Sequence, residues 1–266
     1  MATPVSYNEM MASLHLVHGG VNVVIPYYQD SRLKHLVENA RSCAVIGCGT
    51  GELELAFIEH CMPSLEVLSA VEPDSESVVE LRANIARRLP NVRSTVYQDM
   101  AENWAEDTDQ VFDVVTIIQC LNDIPEAAHL PLFKRLFDSV IRPNGFVVMS
   151  TRTERLDGTK SLESRIMEAL NHRPYDDTNW YKEARRQMES VGFINCYESR
   201  YNTNHNLEKV NRGYFAFHAR ECDKPITLET VEQIIRNVIG DAKTSRKDFC
   251  LGVFRKPNWQ TFIYPS

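Results

Sequence analysis

Three glycines alternate with Cys48 and Thr50 in Gly47-Cys48-Gly49-Thr50-Gly51-Glu52, directly after the apolar run Ala44-Val45-Ile46 and before a helical pattern from Leu53 to His60. Glycine accepts backbone angles that a β-carbon resists, so such a turn can lie flat against a ligand with its N–H groups presented at a helix N-terminus. The chemistry open to it is the holding of a nucleotide-type cofactor. A dinucleotide fingerprint needs G-x-G-x-x-G, and Glu52 stands where its third glycine would be. Dinucleotide binding is therefore disfavoured. A second acid, Glu72, closes the next apolar run, Val67–Val71. An acid about twenty positions past the loop is placed to hydrogen-bond both hydroxyls of a ribose.

Loop and acid together resemble the S-adenosylmethionine site of class I methyltransferases, which implies Gly47, Gly49, Gly51 and Glu72 as cofactor residues. The competing reading is an ordinary strand-to-helix turn with surface glutamates, and the later strands argue against it. Asp99 follows the third apolar segment, Val92–Tyr97. There it either accepts a hydrogen bond from the adenine amine or serves as a helix cap. The fourth segment, Phe112–Leu121, is apolar on both faces, as a central parallel strand should be. In this architecture Ile118, Gln119, Asn122 and Asp123 at its end stand where the sulfonium methyl meets its acceptor, although a polar strand terminus is the ordinary reading of Gln119. Transfer of an already activated sulfonium methyl needs alignment and a dry pocket more than it needs a strong base. The residues at this edge are therefore expected to position rather than to react.

The elements that must hold these residues alternate in the manner of a doubly wound sheet. Strands are expected at 43–46, 67–71, 92–97, 112–121 and 146–150, with helices at 52–61, 74–89 and 127–141 between them. Arg142-Pro143-Asn144-Gly145 reads as a turn before the fifth strand. The first 40 residues carry apolar positions at helical spacing, broken by Gly19-Gly20 and Pro26, and could fold over the cofactor mouth. Residues 151–175 read as an inserted helix and substrate lid around Leu162, Ile166, Met167 and Leu170. Beyond them, 180–191 and 226–239 read as helices, and 193–201, 214–219, 249–254 and 258–264 as strands. The expected class is α/β, a class I methyltransferase (Rossmann-like) doubly wound sheet with N-terminal helices and an inserted substrate lobe. Its domains would be a helical cap at 1–40, an S-adenosylmethionine-binding core at 41–150, and a substrate lobe with strands completing the sheet at 151–266.

Composition narrows the partners. A chain of 266 residues with 43% hydrophobic content can bury one substantial core. The net charge of -7, without a basic stripe, argues against nucleic acid or an anionic membrane and favours a small molecule. No apolar run reaches the roughly eighteen residues of a membrane span, and the N-terminus lacks a secretory pattern, so a cytoplasmic protein is expected; nothing in the sequence suggests a large exposed interface, which makes a monomer the default. The seven cysteines are scattered without C-x-x-C pairs and read as reduced thiols, not as a disulfide framework or metal site. Cys43, Cys48 and Cys120 read as small core residues.

Over residues 7 to 265 the chain is similar to the histamine N-methyltransferase family. The stretches that carry the resemblance are Val45–Glu52, Val71-Glu72-Pro73, Ile118-Gln119-Cys120-Leu121 and Asn258-Trp259-Gln260-Thr261-Phe262-Ile263. The resemblance implies cofactor contacts at Gly47, Glu72, Ser77 and Ile118, and substrate contacts at Gln119 and Asn258. Phe217 matches a pocket aromatic of the family that could stack on the acceptor; as a residue it reads equally as a core strand aromatic. Two departures stand out. The family's N-terminal acid, which grips the cationic tail of histamine, falls here on Gly20. Its paired tyrosines after I-Q-x-L are replaced by Asn122 and Asp123. Asp123 could supply the lost charge from another side, or the substrate differs.

Three functions are consistent with these residues. One is a small-molecule N-methyltransferase for an imidazole or other amine. Another is an O-methyltransferase for a small acid or phenol, and the last is a methyltransferase-like binding or scaffold protein. Intact Gly47, Gly49, Gly51 and Glu72 argue against the last, because a scaffold has no need of a complete cofactor crevice. Methylation of nucleic acid or protein is disfavoured by the missing basic face and by Gln119-Cys120-Leu121-Asn122 where base and amide methylases carry an Asn-Pro-Pro-Tyr type signature.

Overall fold

A computed structural model of the protein describes residues 5–155, 158–172 and 180–258. The chain opens with α1 (Tyr7–His18), which ends at Gly19-Gly20, both at positive φ. Short helices α2 (Ile25–Tyr28) and α3 (Ser31–Val37) follow, the latter capped by the Asp30 carboxylate, which accepts from the Arg32 N–H. Strands and helices then alternate as β1 (Ser42–Ile46), α4 (Glu52–Cys61), β2 (Val67–Val71), α5 (Ser75–Arg88) and β3 (Arg93–Tyr97). They continue as α6 (Ala101–Asp107), β4 (Phe112–Ile118), α7 (Glu126–Arg135) and β5 (Ile141–Arg152). The C-terminal part adds α8 (Leu162–Asn171), α9 (Trp180–Ser190), β6 (Ile194–Asn206), α10 (Arg212–Arg220), α11 (Leu228–Ile239) and β7 (Thr244–Arg255).

The seven strands form one sheet in the order β3-β2-β1-β4-β5-β7-β6, with β1 to β5 parallel. Burial explains the parallel half: all five residues of β1 and six of the seven in β4 are buried, so neither strand has a face for water. The sheet winds from β1 out to β3 and then restarts on the other side of β1 with β4. That reversal leaves a crevice at the carboxyl ends of β1 and β4, where doubly wound folds bind their ligands. The class I methyltransferase fold expected from the sequence is the fold observed, with its N-terminal helices in place.

Several local expectations are corrected. Residues 214–219 form part of helix α10, not a strand: Asn211 Oδ1 accepts from the N–H groups of Gly213 (2.9 Å) and Tyr214 (3.3 Å), and this cap starts a helix that buries Tyr214, Phe215 and His218 on one face. Arg142–Gly145 is an excursion within β5, because register slips between the pairs Phe112–Ile141 and Val114–Phe146. The helix from Glu126 runs on as a wider π-helical turn over Leu136–Val140. The expected final strand at 258–264 lies outside the described residues except for Asn258.

The described residues divide into two compact units, and the division falls within β6 and β7. One, built from Ile25–Arg152, Trp180–Arg200 and the chain from Cys250, has a core that includes Trp104, Phe112, Phe133, Leu136, Met188 and Phe254. The other comprises the chain up to Val24 with Thr153–Asn179 and Tyr201–Phe249, and packs Leu14, Val17, Ile166, Tyr214, Val231 and Ile235. Among the described residues no helix is long and apolar enough to cross a membrane.

Candidate active site

The glycine loop leaves β1 with Gly47, Gly49 and Gly51 all in the left-handed region, at φ 61°, 52° and 83°. The Gly47 N–H donates to Val71 O (2.8 Å), and the Gly51 N–H closes the turn on Cys48 O (2.7 Å) before α4 begins. At Gly49 a β-carbon would meet no described atom within 4 Å, so the loop presents bare backbone to open space. A concave stretch of main chain at a helix N-terminus suits a nucleotide-type ligand.

Glu72 completes this cradle. Its Oε2 accepts from the Gly49 N–H (2.7 Å) and its Oε1 from the Asp74 N–H (3.0 Å), so one carboxylate ties the glycine loop to the start of α5. Only 4% of Glu72 is exposed. Burial pushes its proton affinity up, and the two backbone N–H donors act against that by favouring the anion. Each carboxylate oxygen has a second lone-pair direction, so hydroxyl donors can be accepted without breaking the tie. Behind the loop lies Glu54 of α4, buried at 3% exposure, whose carboxyl is pushed well above the ordinary range by desolvation and by the neighbouring Glu72 and Glu52 charges.

Across the crevice, β4 ends at Ile118 because Gln119 takes φ 57°, a left-handed conformation uncommon for a residue with a side chain. Its N–H donates to Ser150 O of β5 (2.7 Å), fixing the direction in which the chain leaves the sheet. Cys120 then turns back, and its thiol donates to Ile46 O (3.0 Å) at the end of β1. A short 3-10 turn, Leu121–Asp123, buries Leu121 and carries Asn122 and Asp123 outward, with Asn122 Nδ2 donating to Asp123 Oδ1 (2.9 Å).

The structure gathers most of the sequence-predicted residues at these strand ends. Gly47, Gly49, Gly51 and Glu72 form one hydrogen-bonded unit. Ser77, 1% exposed, sits in the first turn of α5 with its N–H donated to Asp74 Oδ2 (2.8 Å). Asp99 follows β3 and accepts from the Met100 N–H (2.8 Å) and from Asn103 Nδ2 (3.3 Å), so it does serve as a local cap. Ile118, Gln119, Asn122 and Asp123 lie in sequence across the end of β4. Asn258 is half-buried just past β7, while the Trp259–Ile263 stretch of its motif lies outside the described residues. Phe217 is on α10, edge-on to His218 at 5.4 Å, within the other compact unit. Gly20 begins a 3-10 turn at φ 57°. Cys43, Cys48 and Cys120 are buried, as expected of small core residues.

Sequence reading missed three participants. Asp74 lends Glu72 a backbone donor; its signal was the tight Glu72-Pro73-Asp74 spacing. Cys120 struts the loop, and a lone cysteine gives no such signal. Met100, 40% exposed beside Asp99, offers an apolar surface near the end of β3. Among the described residues no group of three or more His, Cys, Asp or Glu could hold a metal ion.

Residues 44–145 match the family of the methyltransferase domain. The protein thus carries a class I methyltransferase domain, and it is an S-adenosylmethionine-dependent methyltransferase. No curated protein matches the chain in sequence. Among solved structures the fold is similar to a candidate methyltransferase from Bacillus halodurans C-125, with a TM-score of 0.62 at 16% identity over 88% of this chain and 99% of that one. It is similar to YcgJ of Bacillus subtilis, with a TM-score of 0.60 at 13% identity over 90% and 98%. The cyclopropane synthase MmaA2 of Mycobacterium tuberculosis gives a TM-score of 0.55 at 12% identity over 86% and 82%. The residues present fit S-adenosylmethionine: bare backbone at Gly49, and a buried carboxylate at Glu72 with acceptor capacity to spare.

Proposed function

We propose that the protein is a small-molecule N-methyltransferase whose acceptor is an imidazole or other amine, of the kind its resemblance to the histamine N-methyltransferase family implies. The observation that carries the reading is the polar turn after β4. Gln119, Asn122 and Asp123 present two amides and one carboxylate in five residues, and that run holds no Lys or Arg. A cationic or polar nitrogen compound complements this edge, whereas a carboxylate acceptor would meet Asp123 without a compensating cation.

The bound cofactor supplies a methyl group already activated on a sulfonium centre. What remains for the protein is binding, orientation and the exclusion of water. Gly47, Gly49, Gly51 and Glu72 hold the nucleoside end, with Ser77 and Asp99 lining the same side. Ile118 closes the apolar floor. Gln119 and Asn258 orient the acceptor by amide hydrogen bonds, and Asp123 supplies charge complementarity. No residue is asked to act as a strong base, because an imidazole is substantially neutral near pH 7.

Isothermal titration with S-adenosylmethionine, followed by mass-spectrometric screening of imidazoles, amines, small acids and phenols, tests the reading. Methyl gain on an amine or imidazole supports it. Methyl gain only on acids or phenols overturns the acceptor class.

A further inference from the structure

His129 stands in the first half of α7, is 2% exposed, and is used by none of the steps above. Its Nε2 lies 2.9 Å from Leu121 O and 2.9 Å from Ile124 O. Both partners are carbonyls, which can only accept, so Nε2 carries the proton and donates to the two together. The ring is held in place by Phe133 at 6.2 Å and by the edge of Trp180 at 5.8 Å.

Those two carbonyls bracket Asn122 and Asp123. Leu121 and Ile124 are buried at 0% and 8%, so the turn is anchored by its flanks and carries its polar pair outward. Its own backbone bonds are few: Asp123 N–H donates to Cys120 O (2.9 Å), and Ile124 N–H reaches Leu121 O only at 3.3 Å. Pro125 follows and has no N–H to contribute. A single buried imidazole therefore supplies the only side-chain donor that the described residues offer to the Leu121 and Ile124 carbonyls.

We infer that His129 is a positioning residue for methyl transfer, a buried clamp that sets the acceptor-facing turn Leu121–Ile124 through its two backbone carbonyls. The inference rests on the reading that this turn faces the acceptor. Its hydrogen bonds among the described residues go to this turn and not to the glycine loop or Glu72, so its direct hold is on the acceptor side.

Three variants separate the clamp from a filler of space. In His129→Gln the amide nitrogen reaches the Nε2 position, in His129→Asn it falls short near Nδ1, and His129→Leu keeps bulk without a donor. All three should bind S-adenosylmethionine within about threefold of wild type, because no cofactor contact changes. Hydrogen–deuterium exchange of the peptide spanning residues 119–125 should accelerate about tenfold in the Asn and Leu variants, as expected for losing one buried hydrogen bond, and stay near wild type in Gln. With histamine as the probe acceptor, the Asn and Leu variants should raise KM about tenfold with a smaller change in kcat, and Gln should restore it. Equal exchange in Gln and Asn, or wild-type exchange in Asn, overturns the inference and does not depend on the Leu variant folding. If wild type binds the cofactor but leaves histamine unmethylated, histamine fails as the acceptor, while the exchange comparison still decides the role of His129.

Discussion

A β-carbon on Gly47 would lie 2.7 Å from both Cβ and Sγ of Cys120, so the first residue of the cofactor loop and the residue that turns the chain after β4 are packed to the limit of contact. The two sides of the crevice are thereby fixed against each other without any long side chain between them. Gly47→Ala must push Cys120 aside and also hold φ near 61°, a conformation that costs an L residue about 1–2 kcal/mol before any clash. It should lower S-adenosylmethionine affinity by more than about tenfold and depress Tm by several degrees. Titration calorimetry and a thermal melt on the same preparation check both.

Glu72 is the second fixed point. Glu72→Gln replaces a carboxylate oxygen by an NH2 group that must face a backbone N–H at Gly49 or Asp74, leaving a buried donor against a donor. Hydrogen bonds to a charged acceptor are worth about 1.5–3 kcal/mol each, so cofactor affinity should fall at least about tenfold. Glu72→Asp keeps the charge but withdraws it by one methylene, and should show an intermediate loss. Affinity equal to wild type in the Gln variant would remove Glu72 from the cofactor site.

Gln119 combines strain with a proposed role, and the two can be pulled apart. Gln119→Gly removes the left-handed penalty and should raise Tm by an amount corresponding to about 1 kcal/mol; Gln119→Ala keeps the penalty and should not. Both variants lose the amide, so both should reduce methylation of the acceptor about tenfold or more. A Gly variant that is more stable and fully active would leave the amide without a function.

The parts legible in the sequence were those with a local cause. The glycine alternation, the acid at the end of β2 and the largely apolar strands β1 and β4 each dictate their own geometry, and the crevice follows from the strand order they impose. What escaped depends on partners distant in the chain. Cys120 reads as one more small core residue until its thiol is seen to reach Ile46 O, 74 positions away. Residues 214–219 look like a strand because Tyr214, Phe215 and Phe217 favour one, and only the Asn211 cap and the packing of Tyr214, Phe215 and His218 on one helical face decide otherwise. The left-handed turn at Gln119 was hidden for the same reason, since it is fixed by the carbonyl of Ser150, 31 positions further along the chain.

Glu54 gives a pH dependence with a definite sign. Its folded-state proton affinity is raised by burial, whereas the unfolded chain has the ordinary carboxylate value, so above that value the folded state holds more protons than the unfolded one. Stability is then greatest below the ordinary carboxylate pKa and declines as pH rises towards the raised value. Glu72 shifts in the same direction and adds to the slope. Glu54→Gln removes the first contribution. At about pH 8 its Tm should exceed that of wild type by a shift corresponding to on the order of 1 kcal/mol, with the difference shrinking towards about pH 5. A difference that grows on acidification would mean that the buried carboxyl is stabilised as the anion.

In the unit built around α1, α8, α10 and α11, Lys247 Nζ lies 2.5 Å from Glu163 Oε2, with the two side chains only 8% and 5% exposed. The ammonium also sits 5.5 Å from the centre of the Phe249 ring. Desolvating both charges offsets much of their attraction, so the pair as a whole adds little stability, yet either member left alone is an uncompensated buried charge. Glu163→Gln or Lys247→Met should each cost about 3–5 kcal/mol, read from the urea midpoint. The double variant Glu163→Gln with Lys247→Met, which leaves no buried charge, should recover most of that loss. If the double variant instead loses the sum of the two single effects, the ion pair is not the coupling between these residues. If the single changes cost nothing, water reaches the pair and the burial is not effective.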